Sequence, residues 1–277
     1  MVDFDFKRLD EDKTYIDTKA KALVDFVIKH IEFLPYLCDC ITTYTSLQHF
    51  EMKSEDGEDL FLEYAETFEF ENEDSYDYVD EFVEVFRDTY NIYNDSNNVN
   101  EYENYIQNSV KVEMKYNEFC QNQLGNVRGR ILEILLEEFI EKRYKPNRSR
   151  VSNYFLKFQS GCRIKLNGKE LTLKNRKTVD IAAWDGSMGE FYEAKINPER
   201  FDEDVLNLLT LIKNALDNAK VNAIVGCVSM KEKETMIVCM EKVIEEQNIN
   251  YNSSIQVYGK NELHGLLHNR PDISPAA

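Results

Sequence analysis

The sequence predicts an α/β fold. A mixed central sheet with helices on its faces is built by the second half, behind a mostly helical, acidic first half. Three observations carry this. From about residue 124 onward the chain reads as a helix, two successive hairpins, then helix, strand, helix, strand, an order that suits a sheet covered by helices. Val221–Met230 (VNAIVGCVSM) is a continuous apolar run, as expected of a strand buried on both faces. Charge divides the chain: residues 1–120 hold 10 Lys and Arg against 30 Asp and Glu, and residues 121–277 hold 23 against 21. The expected division is an acidic, mainly helical domain over residues 1–122 and a second domain over 123–277.

In chain order, residues 15–50 have helical apolar spacing through Leu23, Val24, Phe26, Val27 and Ile31, with Pro35 expected to break or kink the run. Residues 51–90 carry sixteen acids but also many aromatics, so they are not a plain disordered tail. Short strands or loops are expected near Leu60–Glu71, and a helix over Ser75–Tyr90. The Asn-rich stretch 91–100 reads as a linker and Glu101–Gln121 as a helix. LGNVRG, Leu124–Gly129, reads as a turn. Arg130–Tyr144 is an amphipathic helix that Pro146 is expected to stop. Val151–Phe158 is a short strand or helical turn. Arg163–Leu173 is a hairpin whose Asn167-Gly168 tip suits a two-residue type I′ turn. Thr178–Asn197 is a second hairpin. A helix at Phe201–Ala219, the strand at Val221–Met230, a helix at Glu232–Gln247, a strand at Ser254–Tyr258 and a helix at Asn261–His268 complete the chain.

Composition excludes several classes of function. No apolar run is long enough for a membrane span, and the N-terminus MVDFDFKRLDEDK lacks the basic and apolar segments of a secretory signal. The six cysteines are scattered, with no CxxC knuckle, and are expected to be free thiols in a reducing cytoplasm. The net charge of −18 argues against nucleic acid for the whole chain, but not for its second half: Lys142–Lys177 holds twelve basic residues and one acid, Glu170.

The second hairpin carries the chemistry. In a strand, Glu193 and Lys195 share a face, and Ala194 turns to the other. Asp180 opens the preceding strand. Charges flanked by Val179, Ile181, Tyr192 and Ile196 are awkward in a central strand unless they are paired or functional. Two acids and a lysine at one end of a hairpin suit a hard divalent cation and hydrolysis of a phosphodiester. Asp185, in WDGS, reads as a turn residue, and Glu190 lacks a following x-Lys. Arg128, Arg130, Arg148, Arg150, Lys174, Arg176 and Lys177 flank the hairpin in sequence and are candidate phosphate contacts, which supply affinity rather than sequence choice.

The set Asp180 in TVDIAAWD, Glu193-Ala194-Lys195 in FYEAKIN, and Gly129–Glu133 (GRILE) resembles the PD-(D/E)xK nuclease superfamily over roughly residues 124–260. The usual proline before the Asp is replaced by Val179. The resemblance implies a restriction-endonuclease-like fold and Mg²⁺ (or Mn²⁺) held by Asp180, Glu193 and the Ala194 carbonyl. It implies that Lys195 orients or deprotonates the attacking water, with Glu133 assisting the metal or positioning Lys195. The expected substrate is DNA. Compact nucleases with an unrelated N-terminal region are similar in architecture to effectors of bacterial anti-phage defence, including the nuclease subunit paired with a helicase in Hachiman-type systems. For the acidic half this leaves three expectations: docking of a protein partner such as a helicase or NTPase, shielding of the basic groove, or an accessory fold with a solvated face. Self-association as a dimer would suit cutting of both strands. The alternatives are a catalytically inactive member of the fold or acidic interaction protein, and a repair or junction-resolving nuclease.

Overall fold

The computed structural model describes residues 3–8, 14–50, 76–108, 114–148 and 157–268. The expectations for Leu60–Glu71, for Val151–Asn153 and their neighbours to residue 156, and for Arg150 lie outside them. The chain divides into two compact units: Asp12–Ile134, and Met1–Glu11 together with Leu135–Ala277.

The second unit is built on a mixed seven-stranded sheet. Its strands are β1 (Phe4–Arg8), β2 (Lys157–Leu166), β3 (Lys169–Glu170), β4 (Val179–Trp184), β5 (Gly189–Ala194), β6 (Ala223–Val228) and β7 (Gln256–Tyr258), in the order β1-β2-β4-β5-β6-β7 with β3 on β2. β1, β2, β4 and β5 pair antiparallel, and β5, β6 and β7 pair parallel. The β2–β3 tip has Asn167 at φ 50° and Gly168 at φ 78°, the two positive values a type I′ turn requires. Asp185 closes the β4–β5 turn: its Oδ1 accepts from the backbone of Ser187 and Met188 at 2.8 and 2.7 Å, as expected of a turn residue.

β6 is buried along its whole length, as its apolar run implies. Parallel pairing requires crossovers, and two helices supply them: α6 (Glu203–Asn218) between β5 and β6, and α7 (Lys233–Glu246) between β6 and β7. Val205, Leu209, Ile212 and Leu216 of α6 and Met236 and Met240 of α7 share a core with Phe191, Val225 and Cys227 of the sheet. α8 (Lys260–His268) follows β7.

β1 has no counterpart in the sequence reading, which left the N-terminus unassigned within a helical domain. Its alternation Asp3-Phe4-Asp5-Phe6-Lys7 is a period-two pattern. Phe4 is fully buried, with ring centroids 4.8 Å from Trp184 and 5.6 Å from Phe191. The first residues thus belong with the sheet, not with the acidic half that follows them.

In the first unit, α1 (Thr14–Lys29) and α2 (Leu34–Thr43) are separated by a 3₁₀ turn at Ile31–Phe33, with Pro35 in the first turn of α2. Pro35 ends the run as expected, because the first turn tolerates a missing N–H. α3 (Tyr76–Tyr90) packs Phe82, Phe86 and Tyr90 against Phe33 of the 3₁₀ turn, Tyr36 of α2 and Tyr44 at the C-terminal cap of α2, and the Tyr90 hydroxyl donates to the Tyr44 carbonyl at 3.1 Å. This cluster explains why an acidic segment is so aromatic. α4 (Ser96–Asn108) begins inside the stretch read as a linker: the Asp95 carboxylate accepts from the Asn97 backbone, and Asn98 is fully buried.

α5 runs unbroken from Tyr116 to Arg148. It passes through Leu124–Gly129, read from sequence as a turn, and beyond Pro146, read as its stop. Each interior glycine costs only about 1 kcal/mol relative to alanine. Leu124, Val127, Ile131, Leu132, Leu135, Leu136, Phe139 and Ile140 are all buried, and that continuous apolar face outweighs the glycine cost. The two units divide within this helix, between Ile134 and Leu135, rather than at residues 122–123. No helix among the described residues is long and apolar enough to cross a membrane.

Candidate functional site

The candidate site forms where β4 begins and β5 ends. Tyr192 pairs with Ile181, so the same register sets Glu193 across from Asp180 on one face of the sheet. The backbone beyond Glu193 is pinned on three sides. Lys195 N–H donates to the Val228 carbonyl at 3.0 Å, and the Ser229 hydroxyl donates to the Ile196 carbonyl at 3.1 Å. The Asn197 side chain accepts from Glu199 N–H at 3.1 Å. Lys195 therefore leaves the strand in a fixed direction.

Its ammonium group meets three oxygens at once: Asp180 Oδ2 at 2.9 Å, Glu193 Oε1 at 2.5 Å and the Ala194 carbonyl at 3.0 Å. With Glu133, these are the groups that the resemblance to the nuclease superfamily assigned to a metal ion. Asp180 Oδ2 also accepts from Ala194 N–H at 2.8 Å. Arg176, in the loop leading into β4, bonds Glu193 Oε1 through Nη2 and lies 3.8 Å from Asp180 Oδ1. Two carboxylates and two cations form one cluster. Glu193 is 1% exposed, and its Oε2 is buried with no hydrogen-bond partner among the described residues.

A hard divalent cation fits this donor set. The oxygens already converge on one positive charge, and Glu193 keeps a buried, unsatisfied oxygen, an arrangement costly without a further ligand. Among the described residues no group of three or more His, Cys, Asp or Glu side chains is placed to hold a metal. The set here is different in kind: two carboxylates and a main-chain carbonyl.

Glu133 lies in the first unit, where its carboxylate accepts from Arg130 Nη1 at 3.0 Å; Asp180, Glu193 and Lys195 belong to the second unit. Arg130 also pairs with Asp17 at 2.6 Å, and Arg128 donates to the Ile41 carbonyl at 3.1 and 2.6 Å. Both arginines thus tie helices of the first unit together. The Arg148 side chain and all of Arg150 lie outside the described residues. Lys174 and Lys177 are exposed on the loop around Arg176.

Two features escaped the sequence reading. Glu190 is fully buried on the opposite face of β5, where it accepts from Arg143 of α5 at 2.6 Å and from the Tyr192 hydroxyl at 2.7 Å. Burial, and then the Glu190 charge, push the Tyr192 hydroxyl well above its ordinary pKa, so it remains a donor. The Glu-x-Tyr spacing on one strand face was the available signal. The second feature is Gly161, at φ 54°, where the β2–β4 ladder passes from Ser160–Ile181 to Cys162–Val179 and skips the pairing opposite Asp180. Glycine adopts this left-handed backbone without a Cβ penalty. Cys227, paired with Glu193 across β5 and β6, is no nucleophile: burial raises its thiol pKa far above the usual range, and nearby Lys195 offsets this only in part.

Compared with known proteins, the chain matches no family model, and no curated protein gives a significant match.

Proposed function

We propose that this protein is a metal-dependent nuclease of the PD-(D/E)xK type with a restriction-endonuclease-like sheet, hydrolysing phosphodiester bonds in DNA. The observation that carries the reading is the convergence of Asp180, Glu193 and the Ala194 carbonyl on a single cation at the end of β5. The carboxyl ends of parallel strands, here β5 and β6, are where α/β sheets commonly bind ligands.

Asp180, Glu193 and the Ala194 carbonyl would hold Mg²⁺ or Mn²⁺. When bound, such an ion polarises the phosphate and makes water a better nucleophile. Lys195 supplies the mobile positive charge: its ammonium, released from the carboxylates, hydrogen-bonds the attacking water and offsets charge developing on the phosphate oxygens. Arg176, Lys174 and Lys177 hold the backbone phosphates in register. The acidic first unit serves as a docking surface for a protein partner, a helicase or NTPase that delivers DNA in a defence role.

A second reading has one observation in its favour. Arg176 and Lys195 already neutralise both carboxylates, as they would in a catalytically silent member of the fold that only binds a partner. Incubation of plasmid with Mg²⁺ or Mn²⁺ decides between the two. The nuclease reading predicts nicking or linearisation that EDTA abolishes and that Lys195→Ala lowers about a hundredfold or more. Intact plasmid in every condition, with branched and single-stranded DNA also uncut, favours the silent reading.

A further inference from the structure

Arg176 is the outermost member of the cluster. Its side chain is 26% exposed, whereas Glu193, which it bonds, is 1% exposed. Its Nε is also buried without a hydrogen-bond partner among the described residues, so the guanidinium is only partly satisfied by Glu193. The loop on which it sits offers two further cations to solvent, Lys174 and Lys177.

The charges of the cluster balance: Asp180 and Glu193 against Arg176 and Lys195. A divalent cation arriving from solvent therefore meets no net attraction and finds Glu193 Oε1 already bonded by both cations. A phosphodiester arriving from solvent meets the opposite situation. Lys174, Lys177 and the exposed part of Arg176 all attract it, and a guanidinium matches two phosphate oxygens better than one carboxylate oxygen. Transfer of Arg176 to the phosphate leaves the cluster with one net negative charge and leaves Glu193 Oε1 bonded by Lys195 alone.

Resting on the nuclease reading, we infer that Arg176 couples the two binding events. It holds Glu193 until a nucleic-acid phosphate draws it away, and only then does the carboxylate pair bind its cation tightly. The arginine is thus a positioning residue for Glu193 as well as a phosphate contact. The device keeps the centre empty of metal until substrate is present.

The test is Mn²⁺ binding, read by the electron paramagnetic resonance of free Mn²⁺, with and without a short phosphorothioate duplex that resists cutting. In the full-length wild-type protein the duplex should tighten Mn²⁺ about tenfold or more, and by linkage Mn²⁺ should tighten the duplex by the same factor. Arg176→Gln should bind Mn²⁺ about tenfold more tightly than wild type without duplex, and gain little from adding it. Arg176→Lys, which restores a cation beside Glu193, should return toward wild-type behaviour. Equal Mn²⁺ affinity in wild type and Arg176→Gln, or equal coupling to the duplex in both, overturns the inference and leaves the metal site standing. Absence of Mn²⁺ binding in every protein and condition, or undiminished binding in Glu193→Gln, overturns the nuclease reading and the inference with it.

Discussion

Glu190 and Glu193 lie three positions apart on β5, both are buried, and the pleat sends them to opposite faces. Glu190 is held by Arg143 and Tyr192, whereas Glu193 keeps one oxygen unsatisfied beside a partly exposed arginine. The first arrangement is satisfied within the fold, and the second leaves a buried acceptor without a partner among the described residues. Arg143→Met removes the guanidinium from a fully buried carboxylate and should lower unfolding stability by about 3–5 kcal/mol in denaturant titrations. Tyr192 gives a pH signature. Its folded pKa is raised and its unfolded pKa is near 10, so its contribution is complete below that value and is lost as pH rises above it. Tyr192→Phe should therefore flatten the alkaline fall in stability by up to about 1.4 kcal/mol per pH unit, measured from urea midpoints above pH 10. At Gly161 a Cβ would meet the left-handed backbone penalty, so Gly161→Ala should cost about 1–2 kcal/mol by the same assay.

Elements were legible in sequence to the degree that their patterns were local. Helices α6, α7 and α8, strand β6 and both hairpins were readable because periodicity, the Asn-Gly tip and the WDGS turn are signals within a few residues. α5 was misread for the opposite reason. Its two glycines and Pro146 are local breakers, and the apolar face that overrides them is buried by partners distant in sequence. β1 was missed because five residues of alternation are a weak signal until β2, about 150 residues later in the chain, supplies the pairing. At the site, alternation put Glu193 and Lys195 on one face, and the joint spacing of Asp180 with Glu193-Ala194-Lys195, through its resemblance to a known motif, singled the three out. The engagement of Arg176 with Glu193 could not, since it depends on the path of the preceding loop. Phe4 offers a direct test of β1: Phe4→Ala should destabilise the fold by about 3 kcal/mol or more, read as a lower Tm, although the substituted residue lies at the far end of the chain from most of the sheet.

At the scale of the whole molecule, the sequence's electrical split and the structure's division do not coincide. The first residues pair with the sheet, so removal of residues 1–120 would take away an edge strand as well as the acidic helices. The effect of the acidic half on DNA binding is better probed by neutralising its exposed acids than by truncation. In the proposed function, the oxygens gathered around Lys195 form the cation site of a phosphodiesterase. The measurement that tests it most directly is the single-turnover rate of cleavage of end-labelled DNA in Mn²⁺ by wild type and by Glu193→Gln, a substitution that keeps the shape of a buried side chain. The account predicts cleavage by the wild type and a rate lower by about a hundredfold or more in the variant. Equal rates in the two proteins would contradict it.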